Sequence, residues 1–249
     1  MRKRGRWLGA AVLAALVATG GTAAAGWQDL LRDALDAGGS GGAGTAALTS
    51  SEMTGGLKEA LAQGVEWAVN ELGRPDGFLG NAAVRIPVPD SLQLVEKSAR
   101  ALGQGHYVDE FVTTMNRAAE RAVPETATIL ADTIRKMSVE DAAAIVRGPD
   151  DAATRYFERT SGEALRARLL PIVSEATASA GVTAAYKGLV GQGQGMLGGF
   201  MGPGALDLDG YVTDRALAGL FTYIAQEERR IRANPAARTT ELMRKVFAQ

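Results

Sequence analysis

Thr49 to Gly73 reads TSSEMTGGLKEALAQGVEWAVNELG, and its pattern fixes what kind of fold the chain builds. Thr49-Ser50-Ser51-Glu52 has the spacing of a capping box, in which a hydroxyl and a carboxylate satisfy the free amides at a helix start. Leu57, Leu61, Val65, Ala68 and Leu72 then recur at helical spacing, one apolar stripe over four turns. Gly73 closes the pattern as a residue free to enter the left-handed conformation. A helix with one apolar face must bury it, and the rest of the chain supplies more of the same.

Asp90 is placed to cap a helix carrying Leu92, Val95, Ala99 and Leu102, ended by Gly103. Val108, Phe111, Val112, Met115, Ala119 and Ala122 form the next stripe, and Pro124 breaks or restarts it before Ile129, Leu130, Ile134 and Met137. Ser138 caps a short helix ending at Gly148-Pro149, and Asp150 or Asp151 starts another that holds Tyr156 and Phe157. Thr160 to Glu163 reads as a second capping box, leading through Leu165, Leu169, Ile172 and Val173 to Gly181. A short helix is expected over Ala184–Val190 and a long one through Leu217, Leu220, Phe221 and Ile224, with Asp209 as its cap. A last one follows Asn234-Pro235 through Leu242, Val246 and Phe247. The expected fold is all-α, a single bundle-like domain over residues 49–249 with mostly antiparallel neighbours.

One stretch departs from the pattern. Gly73–Leu92, GRPDGFLGNAAVRIPVPDSL, is interrupted by prolines and glycines. Arg74-Pro75-Asp76-Gly77 has type I turn chemistry. Val84, Ile86 and Val88 share a face if the backbone is extended, while Pro87 and Pro89 exclude a central strand. The structural reading is an extended, proline-containing strap laid on the helices. The functional reading makes Arg74, Asp76, Asn81 and Arg85 a recognition loop on a rigid scaffold, two arginines being able to fork a carboxylate or phosphate. Thr113, Asn116, Arg117 and Glu120 fall on one helix face beside it. They read either as a solvated face or, in Asn116, Arg117 and Glu120, as an extension of that binding surface.

The N-terminus carries Arg2, Lys3, Arg4 and Arg6, then an eleven-residue uncharged apolar run, Leu8–Ala18, then Ala23 and Ala25 at −3 and −1. That is the layout of a secretory signal peptide cut after Ala25, and the run is well short of the ~20 residues a membrane span needs. Cleavage would remove four of 27 basic residues and none of 28 acidic ones, moving the formal charge from −1 to −5. An acidic product has no general electrostatic reason to seek nucleic acid or an anionic membrane. The expectation is a periplasmic, soluble protein with no transmembrane segment in its mature chain. Residues 26–48 are read as a short helix and a Gly-rich tether, GGSGGAGTAA. With no cysteine, stability has to come from packing and thiol chemistry is excluded.

The segments GLKEAL, LGRPDGFLGNAAVRIPVP, MNRAAERAVP, DDAATRYFERTSGEALRARLLPIV and DLDGYVTDRALAGLF…IRANPAARTTELMRKVF occur in this order. Together they resemble the bacterial domain of unknown function 4197 family, over about Thr49 to Phe247. The resemblance implies an exported, helical envelope protein with no assigned biochemical activity.

Most catalytic patterns are missing. His106 is the single histidine, so no HExxH site exists, and no GxSxG elbow or Ser-x-x-Lys pair is present. GQGQG at 191–195 follows a helix and has neither dinucleotide spacing nor a P-loop lysine, and Asp207-Leu208-Asp209-Gly210 lacks the ligands of a calcium loop. No catalytic residue, metal or cofactor is expected. The pairs Asp109/Glu110, Asp150/Asp151 and Glu227/Glu228 read as surface charge. Arg155, Arg159, Arg166 and Arg168 read as a face ion-paired with Glu158 and Glu163. Met196, Leu197, Phe200 and Met201 sit on a backbone too glycine-rich to fold alone, read as a flexible apolar loop or a connector. The leading expectation is a binding protein for an unidentified envelope protein or small ligand. The alternative is an envelope hydrolase using Glu120 or Asp76 as acid or base.

Overall fold

The computed structural model describes residues 49–179 and 207–247. The expected signal peptide, Gly-rich tether, Ala184–Val190 helix and Met196–Met201 loop all lie outside the described residues. The described residues are all-α and contain no strand. α1 (Ser50–Gly73) begins in the expected capping box: Thr49 Oγ1 accepts the Glu52 amide, and the Glu52 carboxylate accepts the Thr49 amide at 3.0 Å. It is the central helix, buried on more than its one stripe, with Ala60, Ala62 and Val69 also enclosed. Small residues let its neighbours come close. A Cβ on Gly56 would sit 2.8 Å from Val246, and one on Gly64 would touch Glu227.

After α1, residues 74–89 form neither helix nor strand. A 3-10 turn, Asp90–Leu92, then leads into α2 (Gln93–Ala101). Asp90 does not cap a backbone amide; its carboxylate accepts from the Gln93 side chain instead. Gly103, at φ +74°, reverses the chain into α3 (Gly105–Ala122). Pro124 does restart the helix, through a 3-10 turn over Val123–Thr126, and α4 (Ala127–Lys136) follows. Ser138 caps α5 (Val139–Arg147) in a full capping box with Asp141.

The second expected helix start is not one. α6 runs unbroken from Ala152 to Ser179, straight through Thr160–Glu163. The Thr160 and Ser161 hydroxyls donate back to the carbonyls of Tyr156 and Phe157 at 2.6 and 2.7 Å, which keeps them inside the helix. Phe157, Leu165, Leu169 and Val173 make one continuous buried stripe across the supposed boundary, and that burial decides the outcome. α7 (Leu208–Ala233) is capped by Asp207, not by Asp209, which accepts a hydrogen bond from Thr177. A 3-10 turn at Pro235–Ala237 leads to α8 (Glu241–Val246), capped by Thr240.

α7 packs on α6 and α1, α3 on α6, and α8 on α1. One core of buried residues joins α1 to α7, with Phe78, Phe111 and Phe157 fully enclosed. A small satellite cluster of Ala60, Ile231, Ala237 and Met243 sits under α8. The α6 arginines pair away from their own helix neighbours Glu158 and Glu163. Arg155 reaches Asp151, Arg166 reaches Asp214, Arg168 reaches Glu125, and Arg159 lies over the Tyr156 ring.

Candidate functional site

The connection between α1 and α2 must cross a packed surface without helix bonds, so its buried backbone groups need other partners. α3 supplies them. Asn116 and Glu120, one turn apart, both face the connection and are 0% and 4% exposed. Asn116 Oδ1 accepts the Ile86 amide at 2.8 Å, and its Nδ2 donates to the carbonyls of Ile86 at 2.9 Å and Val112 at 2.8 Å. The carboxamide thus pairs with residue 86 as a neighbouring strand would. Glu120 Oε1 accepts the amides of Phe78 and Leu79 at 3.0 and 3.1 Å. Its Oε2 accepts from Arg117 at 2.6 Å, and Arg117 donates its other branch to Asp76 at 2.8 Å. The Glu120 hydrogen bond, reinforced by Asp76, holds the Arg117 guanidinium above its ordinary value.

The solvated reading of this α3 face is therefore wrong for Asn116 and Glu120, because satisfying the buried backbone of residues 78–86 outweighs hydration. The turn differs too. Asp76 has φ +65°, so Arg74–Gly77 is not type I, which requires negative φ there. Asp is among the non-glycine residues that enter this region most readily, and here its carboxylate is held by Arg117. Gly77 follows because a Cβ would lie 2.5 Å from the carbonyls of Glu71 and Leu72. Gly73 is not left-handed; a Cβ there would sit 2.7 Å from Pro124, so it is close packing that requires it.

The connection is anchored on α7 as well. The Phe78 ring fills the space left by Gly219, where a Cβ would stand 2.8 Å from the ring. Asn81 donates to the Gly77 carbonyl and to the Tyr223 hydroxyl, and its own carbonyl accepts the amides of Val84 and Arg85. Tyr223 stacks on Trp67 with centroids 5.2 Å apart, and Tyr211 donates to the Pro87 carbonyl. Ile86 and Val88 are buried and Val84 is half-buried.

Of the residues singled out from sequence, Asp76, Arg117 and Glu120 come together in one chain of charge, with Asn116 one turn away. Asn81 faces α7 instead. Arg74 turns back to Glu71 at 2.8 Å, and Arg85 is exposed with no ion pair among the described residues. His106 is the second residue of α3, exposed and against Tyr107.

A second buried polar centre was misread from sequence. Glu227 and Glu228 are 1% and 8% exposed, not surface charge. Glu228 accepts the amides of Ala153 and Thr154, each at 3.0 Å, at the positive end of α6. It also pairs with Arg232 at 3.0 Å, and Arg232 donates to the Ile145 carbonyl at the negative end of α5. One Glu–Arg pair thus ties the α5–α6 corner to α7. Glu227 holds Arg230. The signal was present: both glutamates lie between Ile224 and Ile231, three or four residues from each, on the apolar stripe of α7.

Among the described residues no three metal-ligating side chains converge, and no helix is long and apolar enough to cross a membrane. No curated protein and no solved structure matches the chain. The family described as a protein of unknown function (DUF4197) matches residues 47–248, nearly all of the sequence, in agreement with the segments quoted above. With its helices packed around α1 and its non-helical 74–89 connection, this chain belongs to the DUF4197 family.

Proposed function

We propose that the protein is exported to the periplasm and acts there by binding a partner, not by catalysis. The recognition surface is the outer side of residues 74–87. One observation carries the reading: the polar groups inside this segment are spent on holding it, which leaves a rigid loop presenting Arg74 and Arg85 outward. Recognition groups on a fixed loop bind with less ordering cost than groups on a free one. Arg85 has no ion pair among the described residues, and the Arg74–Glu71 pair is surface-exposed and weak, so both guanidiniums are available to a carboxylate or phosphate. Arg117, by contrast, is tied to Glu120 and Asp76 and belongs to the scaffold.

The hydrolase alternative places an acid or base at Glu120 or Asp76. Glu120 would have to give up two amides and an arginine to act, which argues for binding. Cross-linking in intact cells, followed by partner recovery with Arg74→Ala/Arg85→Ala, tests the proposal. Recovery should fall at least tenfold with helicity unchanged, and unchanged recovery refutes the surface. Release of fragments from cell-wall material by the purified chain would favour the hydrolase. Cell fractionation with mass measurement tests export, the expected product starting at Gly26.

A further inference from the structure

We infer that the groove between α4 and α6 binds a small carboxylate with an apolar body, its head held by the Tyr156 hydroxyl and the Lys136 ammonium. α4 packs on α6, and residues of both helices line an opening of about 290 Å³, close to the lower size of ligand pockets. Ile129 on α4, with Ala164 and the Tyr156 ring on α6, gives it an apolar surface. Its polar groups differ in what they have left to offer. The hydroxyls of Thr133, Thr160 and Ser161 all donate to carbonyls of their own helices. The Asp132 carboxylate is held by Arg135 at 2.6 Å.

Two donors remain. Tyr156 is 6% exposed, and a tyrosine buried that far ordinarily finds a partner for its hydroxyl. Here the contacts are made by the ring, edge-on to Phe157 at 6.0 Å and beneath Arg159 at 5.7 Å, and the hydroxyl makes no hydrogen bond among the described residues. Its oxygen is not sealed in either: it reaches solvent, and the groove is the opening that Tyr156 lines. Burial, then the Asp141 carboxylate, push the hydroxyl above its ordinary 10.0 against the opposing pull of Arg159, so at neutral pH it is a donor. Lys136 ends α4, is exposed, and pairs with no carboxylate among the described residues.

The ligand that suits two unspent donors is an acceptor, and a carboxylate can take a hydroxyl and an ammonium on its two oxygens. The two nearby acids are already engaged. Asp132 has Arg135, and Asp141 accepts the amide and hydroxyl of Ser138 in the α5 cap. An alcohol of the same shape would gain the apolar contact without the charge-assisted bonds, and an amine would meet Lys136 as a like charge. This site lies on other helices than those that carry the 74–87 surface, and it stands or falls independently of that surface.

The test is titration of the full mature chain with hexanoate and with hexanol, followed by NMR at Ile129 and Tyr156, beside urea unfolding of two variants. Hexanoate should shift both residues saturably and bind at least tenfold tighter than hexanol. Tyr156→Phe should keep the parent's urea midpoint, since the oxygen it removes bonds to nothing in the fold, yet bind hexanoate at least tenfold more weakly. Lys136→Gln should weaken hexanoate by as much and leave hexanol binding in place. Equal affinity for the two probes, no saturable shift at either residue, or hexanoate binding unaltered by Tyr156→Phe overturns the inference. A lowered midpoint in Tyr156→Phe rejects it as well, by showing that the hydroxyl serves the fold.

Discussion

Removing the Glu228 carboxylate should cost more than any single surface charge in this protein. In Glu228→Ala the amides of Ala153 and Thr154 lose their acceptor in a buried setting, and Arg232, whose side chain is 12% exposed, loses its counter-charge. A buried donor left unsatisfied costs about 1–3 kcal/mol. Breaking a buried ion pair by deleting one partner costs about 3–5 kcal/mol, a figure that already contains much of the first. The two overlap, so the expected loss is about 4 kcal/mol, a large fraction of the roughly 5–15 kcal/mol available to a domain. For a chain of this size that corresponds to roughly 8–16 °C in Tm. Urea unfolding followed by dichroism measures it, with the m-value checked for constancy. Glu125→Ala is the control. Its pair with Arg168 has a comparably short distance, 2.7 Å, but both side chains are about half exposed, and the expected cost is within about 1 kcal/mol. A loss below about 1 kcal/mol in Glu228→Ala, or equal losses in the two variants, would show that burial of this pair has been misjudged.

Asn116→Ala removes both bonds to Ile86 and one to Val112 and should destabilise by about 2–3 kcal/mol; exchange of the Ile86 amide should rise, and an unchanged rate would count against the pairing. Gly219→Ala drives a methyl into the Phe78 ring and should cost about 1–3 kcal/mol by denaturant unfolding, with Gly219→Ala/Phe78→Leu recovering part of it. The amide and hydroxyl of Thr49 hold the Glu52 carboxyl below its ordinary 4.5. Because the folded value is the lower one, the cap's contribution is complete above about pH 4.5 and is lost as pH falls through the folded value. Carboxyl titration by NMR should place Glu52 below free glutamate, and Thr49→Ala should return it upward.

The helices and their order were legible because their signals are local. A capping box at Thr49, a serine cap at Ser138, Pro124 and Gly103 act on the nearest few residues, and the apolar stripes repeat within each helix. Local grammar failed where distant packing overrode it. Thr160–Glu163 has the letters of a helix start, yet the stripe from Phe157 to Val173 must stay continuous to meet α7, so the hydroxyls fold back into the helix.

Sequence alone settled that the described chain packs amphipathic helices without disulfides or strands, since periodicity and composition are properties of neighbours along the chain. Only the tertiary structure decided what the polar residues do. Whether Glu120, Asn116, Glu227 and Glu228 face water or a buried amide depends on which backbone lies opposite, and that partner is 30 to 75 residues away for Asn116, Glu120 and Glu228. A carboxylate carries no mark in its own sequence neighbourhood of an unsatisfied N–H that another element will bring to it. That is why the candidate recognition loop was visible as an anomaly, while its division into scaffold and exposed arginines was not.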